Sequence, residues 1–245
     1  DALCVVPIDP EACAPVLQKA RDKGIVVITH EAEGFEACDY DLEAFNNQEY
    51  GEAMMDELAK AMNYEGKYVT MVAFLSSVSH NDWMDAAVAH QKEAYPNMEL
   101  IPEERLECED NMNMAYEKAK EIIKKYPDIK GFLGASSYDP PGAAKAIDEL
   151  GMTGQIFAVG TGVASVSGPY LESGSNPCVL CWDPALSGKA MCQLAVMVLN
   201  GEKDKIQTGL DLGIEGYNSV NVNGTDISGN AILVINKDNM SEYKF

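Results

Sequence analysis

Apolar positions along this chain fall into two alternating periods. Short unbroken apolar runs at residues 2–7, 25–29, 68–75, 131–135, 156–160 and 179–181 read as strands, the β-branched run at 25–29 as one buried on both faces. Between them lie longer segments with apolar residues every three or four positions, the mark of helices that bury one face. The first opens at Asp9-Pro10-Glu11, an N-cap followed by proline where a missing N–H costs nothing, and Gly24 ends it. Further helices are predicted over 48–62, 83–95, 112–125 and 141–150, with a short one at 168–172. Pro96, Pro127 and Gly151 supply stops. Weaker strands are expected at 40–45 and 98–105.

The stretch V-L-C-W-D-P-A-L-S-G at 179–188 joins both periods. A buried strand runs straight into Asp183 as N-cap and Pro184 as first helical residue, and the helix carries an apolar stripe to Leu199 before Gly201. Beyond Gly209 the pattern breaks into short Gly- and Asn-rich pieces, of which 231–235 is the clearest strand. Strands alternating with helices of this length predict an α/β protein with parallel, helix-covered sheets. Ligands of such sheets bind beyond the carboxyl ends of the strands. Four polar clusters fall there: His30/Glu31, residues 79–83, residues 136–139 and Trp182/Asp183. Carboxylates, amides, hydroxyls and indoles together suit a small polyol, since aromatic faces stack on sugar C–H faces. Each residue also has a structural reading, with Asp183 only capping and Trp182 only packing.

Composition narrows the function. The 245 residues can form one large domain or two lobes of roughly 100 residues each. No apolar run approaches the ~20 residues needed to span a bilayer. With 39 acidic and 18 basic residues, net −21, the chain is unsuited to nucleic acid and suited to remaining a soluble monomer by self-repulsion. Seven cysteines, at 4, 13, 38, 108, 178, 181 and 192, are odd in number and lack the spacing of a disulfide framework. Cys178 and Cys181 form a C-x-x-C, but no second pair completes a zinc site and the pair precedes its helix cap instead of opening the helix. There is no G-x-S-x-G, no Walker loop, no H-E-x-x-H and no complete G-x-G-x-x-G. His80 and Asp82 lack further ligands at a recognised metal spacing. The expectation is a binding protein with no catalytic residues, no metal and no cofactor.

Several runs then carry a resemblance. V-V-I-T-H-E after D-P-x-x-x-x-P-V-L-x-K-A, S-H-N-D-W-M-D-A-A-V, C-W-D-P-A-L-S-G-K-A-M and the closing N-K-D-N-M-S-E-Y-K-F resemble the type I periplasmic sugar-binding proteins of ABC importers, in the autoinducer-2 and rhamnose-binding branch. The resemblance covers essentially the whole chain. It implies a two-lobe periplasmic-binding-protein-like fold, each lobe a parallel sheet flanked by helices. Residues 1–46 and 183–216 would form the first lobe, residues 47–182 and 217–245 the second, with crossovers near Asn46, Trp182 and Tyr217. It implies capture of a small sugar or sugar-like signal in the interlobe cleft by lobe closure, delivery to a membrane ABC permease, and an extracytoplasmic location, as a periplasmic protein or a cell-surface lipoprotein. A sensory or regulatory domain of the same fold, such as a repressor effector core or receptor ectodomain, is the alternative. By position, Glu31 matches a carboxylate placed on ligand hydroxyls. His80, Asn81 and Trp83 lie in the matching second-lobe loop, Ala135, Ser136 and Ser137 match contact positions, and Trp182 and Asp183 match the hinge. Thr161-Gly162 stands where ribose-type members have an Asp. Complete members begin about 60 residues earlier, so the first lobe is expected to lack its central strand and to leave residues 25–29 short of a neighbour.

Overall fold

In the computed structural model, which describes residues 1–101 and 104–245, strands and helices alternate along the chain. They run β1 (Ala2–Val5), α1 (Pro10–Arg21), β2 (Val26–Thr29), β3 (Tyr40–Glu43), α2 (Asn47–Ala61), β4 (Gly66–Val72) and α3 (Val78–Ala94). Next come β5 (Met98–Leu100), β6 (Leu106–Glu107), α4 (Met112–Lys125), β7 (Ile129–Gly134), α5 (Asp139–Glu149), β8 (Phe157–Gly160) and α6 (Ala164–Ser173). The last are β9 (Cys178–Cys181), α7 (Pro184–Leu199), β10 (Asn221–Asn223), β11 (Asp226–Ser228) and β12 (Leu233–Asn236). The chain divides into two compact units, Asp1–Asn47 with Trp182–Ile232, and Gln48–Cys181 with Leu233–Phe245.

The first unit holds a five-stranded sheet in the order β1-β2-β3-β11-β10. Its first four strands are parallel and β10 folds back antiparallel on β11. All four residues of β2 are buried, which is why its sequence is apolar throughout instead of alternating. Asp9 caps α1 by accepting the Ala12 amide at 3.0 Å, with Pro10 as the first helical residue, as the sequence predicts. Two expectations need correcting here. β2 is flanked on both sides, by β1 (Ala2↔Val26) and by β3 (Ile28↔Tyr40), so it does not lack a neighbour. Among the described residues the outer strands of this sheet are β1, where Leu3 and Cys4 are exposed, and β10. Residues 217–232 lie in this first unit and not in the second, because β11 pairs in parallel with β3 (Asp226↔Asp41) and carries β10 with it. The third crossing therefore falls after Ile232 instead of near Tyr217.

The second unit has parallel β5, β4, β7 and β8 in that order, with β6 continuing alongside the far end of β4. β9 and β12 form an antiparallel pair that joins this sheet through the Thr161↔Leu180 bridge. α4 and α5 cover one face around Val69, Met71, Ile122, Phe132 and Ile147, all of them buried. The strand expected at 98–105 is instead two short ones, β5 and β6; its residues 102–103 lie outside the described residues. The helix expected from Trp83 begins five positions earlier, at Val78, so residues 79–83 are helix and not loop. Its buried stripe of Ser79, Trp83, Ala87 and Gln91 starts with a serine and ends with a glutamine, which hid the period. Likewise α6 extends over Ala164–Ser173 where only 168–172 was expected. At the carboxyl ends of β7 and β8 two glycines let the strands approach. A Cβ on Gly160, whose φ is +143°, would lie 1.9 Å from the Gly134 carbonyl oxygen.

Candidate functional site

In the first unit the chain leaves β2 through His30 and Glu31. Glu31 turns it with a left-handed φ of 59°, and the buried Glu43 carboxylate takes the Ala32 amide at 3.0 Å, fixing the segment that carries Glu31. Glu43 and Asp41 share one face of β3. Burial pushes both carboxyls upward, and the charge of Asp41 raises Glu43 further, so the pair favours holding a proton. The buried His30 donates from Nδ1 to the Leu42 carbonyl at 2.5 Å, leaving Nε2 as an acceptor. Burial lowers its pKa, with the Leu42 bond opposing, so the ring is neutral at neutral pH.

Trp182 opens the return of the chain to this unit. It is half-buried, and its ring stands edge-to-face against Phe45 at 5.3 Å and His30 at 5.7 Å. Two such contacts hold an indole upright without covering it. Asp183 caps α7 with Oδ1, which accepts the Ala185 amide at 2.8 Å and the Leu186 amide at 3.3 Å. One turn on, Ser187 and Tyr217 share a buried hydroxyl–hydroxyl bond of 2.7 Å, anchoring the start of α7 to the segment before β10. Glu31 thus follows β2 of the five-stranded sheet, whereas Trp182 and Asp183 follow β9, the partner of β12, and lead into α7.

In the second unit the carboxyl ends of the adjacent strands β4, β6 and β7 bring a second group together. His80, on the first turn of α3, accepts the Ala73 amide on Nδ1 at 3.3 Å, so its proton sits on Nε2. Burial lowers it to about 4, against the opposing charge of Asp110. Ser136 donates its hydroxyl to Asp110 at 2.5 Å and its amide to Asp139 at 2.9 Å, while the Ala135 amide goes to Met71 and ties β7 to β4. Ser137 is half-buried beside them. Asn81 is engaged structurally: its amide donates to the Leu75 and Ser77 carbonyls at 3.1 and 2.6 Å, and its carbonyl takes a bond from Arg105. Trp83 is buried against Tyr50, 4.9 Å away and edge-to-face, and beside His80. Tyr50 in turn hydrogen-bonds Thr161 at 3.0 Å just past β8.

Sequence reasoning passed over Tyr50, Phe45 and Asp110. Asp110 follows Glu109 with both residues at left-handed φ, 50° and 51°, a conformation uncommon outside glycine and asparagine. The acidic run E-C-E-D at 107–110 after a strand was the available signal. Cys178 and Cys181 both lie in β9 and are buried, and burial with the Glu57 carboxylate beyond it pushes the Cys178 thiol up to about 12. No group of three or more metal-ligating side chains occurs among the described residues.

Two parallel α/β units built from discontinuous segments, with aromatic and carboxylate side chains at the strand exits, have the type I periplasmic-binding-protein fold. The chain belongs to the periplasmic binding protein domain family, whose model matches residues 1–203. A D-ribose/D-allose-binding protein of Pseudomonas aeruginosa is 26% identical over 187 residues, covering 71% of this chain and 55% of that protein. The chain therefore spans little more than half the length of that curated relative. Among solved structures, an ABC transporter solute-binding protein of Clostridium phytofermentas with bound L-rhamnose superposes with a TM-score of 0.86 at 19% identity, over 98% of this chain and 79% of that one. LsrB of Clostridium saccharobutylicum in complex with AI-2 gives a TM-score of 0.86 at 18% identity, over 100% and 82%.

Proposed function

We propose that this chain is the solute-binding component of an ABC importer and that it captures a small sugar or sugar-like molecule. The observation that carries this reading is Trp182. It is a half-buried indole set edge-to-face on Phe45 and His30, and the residue that follows His30 is Glu31, at a left-handed backbone position. That pairing matches a ring with an apolar C–H face and a hydroxyl edge. Glu31, Trp182 and Asp183 are the contacts from the first unit. His80 through its Nε2 proton, Ser136 and Ser137 are those from the second. Asn81, Trp83 and Ala135 support them from behind, since their polar groups or rings are already engaged in the unit's own packing. In this reading the protein works outside the cytoplasm as a monomer and hands its ligand unchanged to a membrane permease. The bound ligands named for the L-rhamnose and AI-2 structures and for the ribose/allose-binding relative set the range of ligands to try.

Calorimetric titration with D-ribose, D-allose, L-rhamnose, D-fucose and autoinducer-2 tests the reading. One of them is expected to bind saturably, with a change in the emission of Trp182. Glu31→Gln is then expected to cost about 1.5–3 kcal/mol, tenfold or more in affinity, as for a hydrogen bond to a charged group. Trp182→Ala should cost at least as much. Absence of heat and of any fluorescence change with all five would overturn the proposal, as would full affinity in both variants.

A further inference from the structure

The cysteines sort by position into two kinds. Cys38, Cys108, Cys178 and Cys181 are buried, and Cys13 is half-buried on α1 against the cluster of Leu17 and Ala20. Cys38 donates to the Phe35 carbonyl at 3.0 Å and Cys108 to the Leu106 carbonyl at 3.6 Å. The exposed pair is Cys4 and Cys192. Cys4 sits on the edge strand β1, and Cys192 sits on α7, the helix that packs across β1 and β2. The two thiols meet across that interface. Burial raises Cys4 to about 11, and the Cys192 thiol adds to the rise through its charge and by hydrogen bonding. So the two exposed cysteines, among seven, come from the two separate segments of the first unit.

We propose that Cys4 and Cys192 form an intramolecular disulfide that staples β1 to α7. The oxidant is a disulfide, supplied by a small-molecule thiol couple or a thiol oxidase of an oxidising compartment. The thiolate of one cysteine attacks a sulfur of that disulfide, forming a mixed disulfide and releasing one thiol. The second cysteine, after losing its proton to solvent, attacks the protein-side sulfur and expels the other thiol. Two protein thiols and one external disulfide thus become one protein disulfide and two external thiols. The staple would link the two separate chain segments of the first unit and restrict how far they part in the unfolded chain.

The full chain is reduced, desalted, exposed to excess oxidised glutathione at pH 8, quenched with N-ethylmaleimide in denaturant and mapped by protease digestion and mass spectrometry. The expected result is a single cross-linked peptide pair containing Cys4 and Cys192, the loss of two free thiols, and a melting midpoint several degrees above the reduced protein. Cys4→Ser and Cys192→Ser are each expected to abolish that rise, while Cys13→Ser leaves it intact. The mapping needs no variant, so a variant that fails to fold does not blunt the test. The proposal is overturned if both residues remain alkylatable, if each stops at a glutathione mixed disulfide, or if the cross-link joins two chains.

Discussion

Replacing Asp139 by asparagine is expected to stabilise this protein above neutral pH and to leave it nearly unchanged in acid. Asp139 opens α5 and has no solvent exposure. Burial pushes its carboxyl from 3.8 up to about 7, against the opposing pull of the Ser136 amide and the Cys108 thiol. Between those two values the folded protein keeps a proton that the unfolded chain gives up. Stability is therefore fully present below pH 4 and is lost as pH rises toward 7. Holding the group at about 7 corresponds to roughly 4 kcal/mol, the whole of which is lost by pH 8. Asparagine fills the same volume, does not ionise and can still accept the Ser136 amide through its carbonyl. At 2–4 °C per kcal/mol for a chain of this size, Asp139→Asn would melt on the order of 10 °C higher than the parent at pH 8. At pH 4 the two would differ by about 1 kcal/mol or less, the cost of placing an amide NH₂ beside the Cys108 thiol. The assay is thermal or urea unfolding of both proteins across pH 4–8. Comparing them at each pH cancels the titration of every other group. A gap that stays constant over that range would refute the reasoning, since it would show that Asp139 is ionised in the folded state throughout.

Two further outcomes follow from local geometry. Asp183→Ala removes both amide bonds at the start of α7 and is expected to cost about 1 kcal/mol of stability, while Asp183→Asn, an equally good cap, costs almost none. A tenfold loss of ligand affinity in Asp183→Asn at unchanged melting temperature would assign the carboxylate to the ligand; unchanged affinity would leave it as a cap alone. Gly160→Ala forces a Cβ to 1.9 Å from a backbone carbonyl at φ +143° and is expected to cost about 3 kcal/mol or more, read as a drop in the urea midpoint. A midpoint within 0.5 kcal/mol of the parent would show that β7 and β8 separate freely there.

Much of this architecture was legible because its strands are short and apolar and its helices begin with strong caps. Asp9-Pro10 and Asp183-Pro184 each mark a helix start to the residue, and each side chain is seen making the cap bond. The misreadings share a cause: polar residues on buried faces. Ser79 and Gln91 are buried on α3, Gln91 through bonds from its amide to the Tyr95 and Met98 carbonyls, and a pattern of hydrophobicity cannot register them. The placement of β10 and β11 was lost for another reason. Three-residue strands carry too few positions for a period, and what fixes them is a pairing with β3 far away in sequence. The candidate site was legible at strand exits, where His30, Glu31, Ser136 and Trp182 stand directly after apolar runs. The rings that orient Trp182 were not, because Phe45 is just another apolar residue until the fold puts it 5.3 Å from the indole.

The pairing of β11 with β3 also has a consequence for synthesis. The register Asp226↔Asp41 means that the first sheet cannot be finished until nearly the whole chain has been made. At 5–20 residues per second, β3 emerges on the order of 10 seconds or more before the strand that will flank it. The run Gln48–Cys181 between them is continuous, with its four-stranded core of β4, β5, β7 and β8 complete within it. The strands β4, β5, β7 and β8 can therefore pair before β11 exists, while β3 stays without that flanking strand until the chain has passed Ser228.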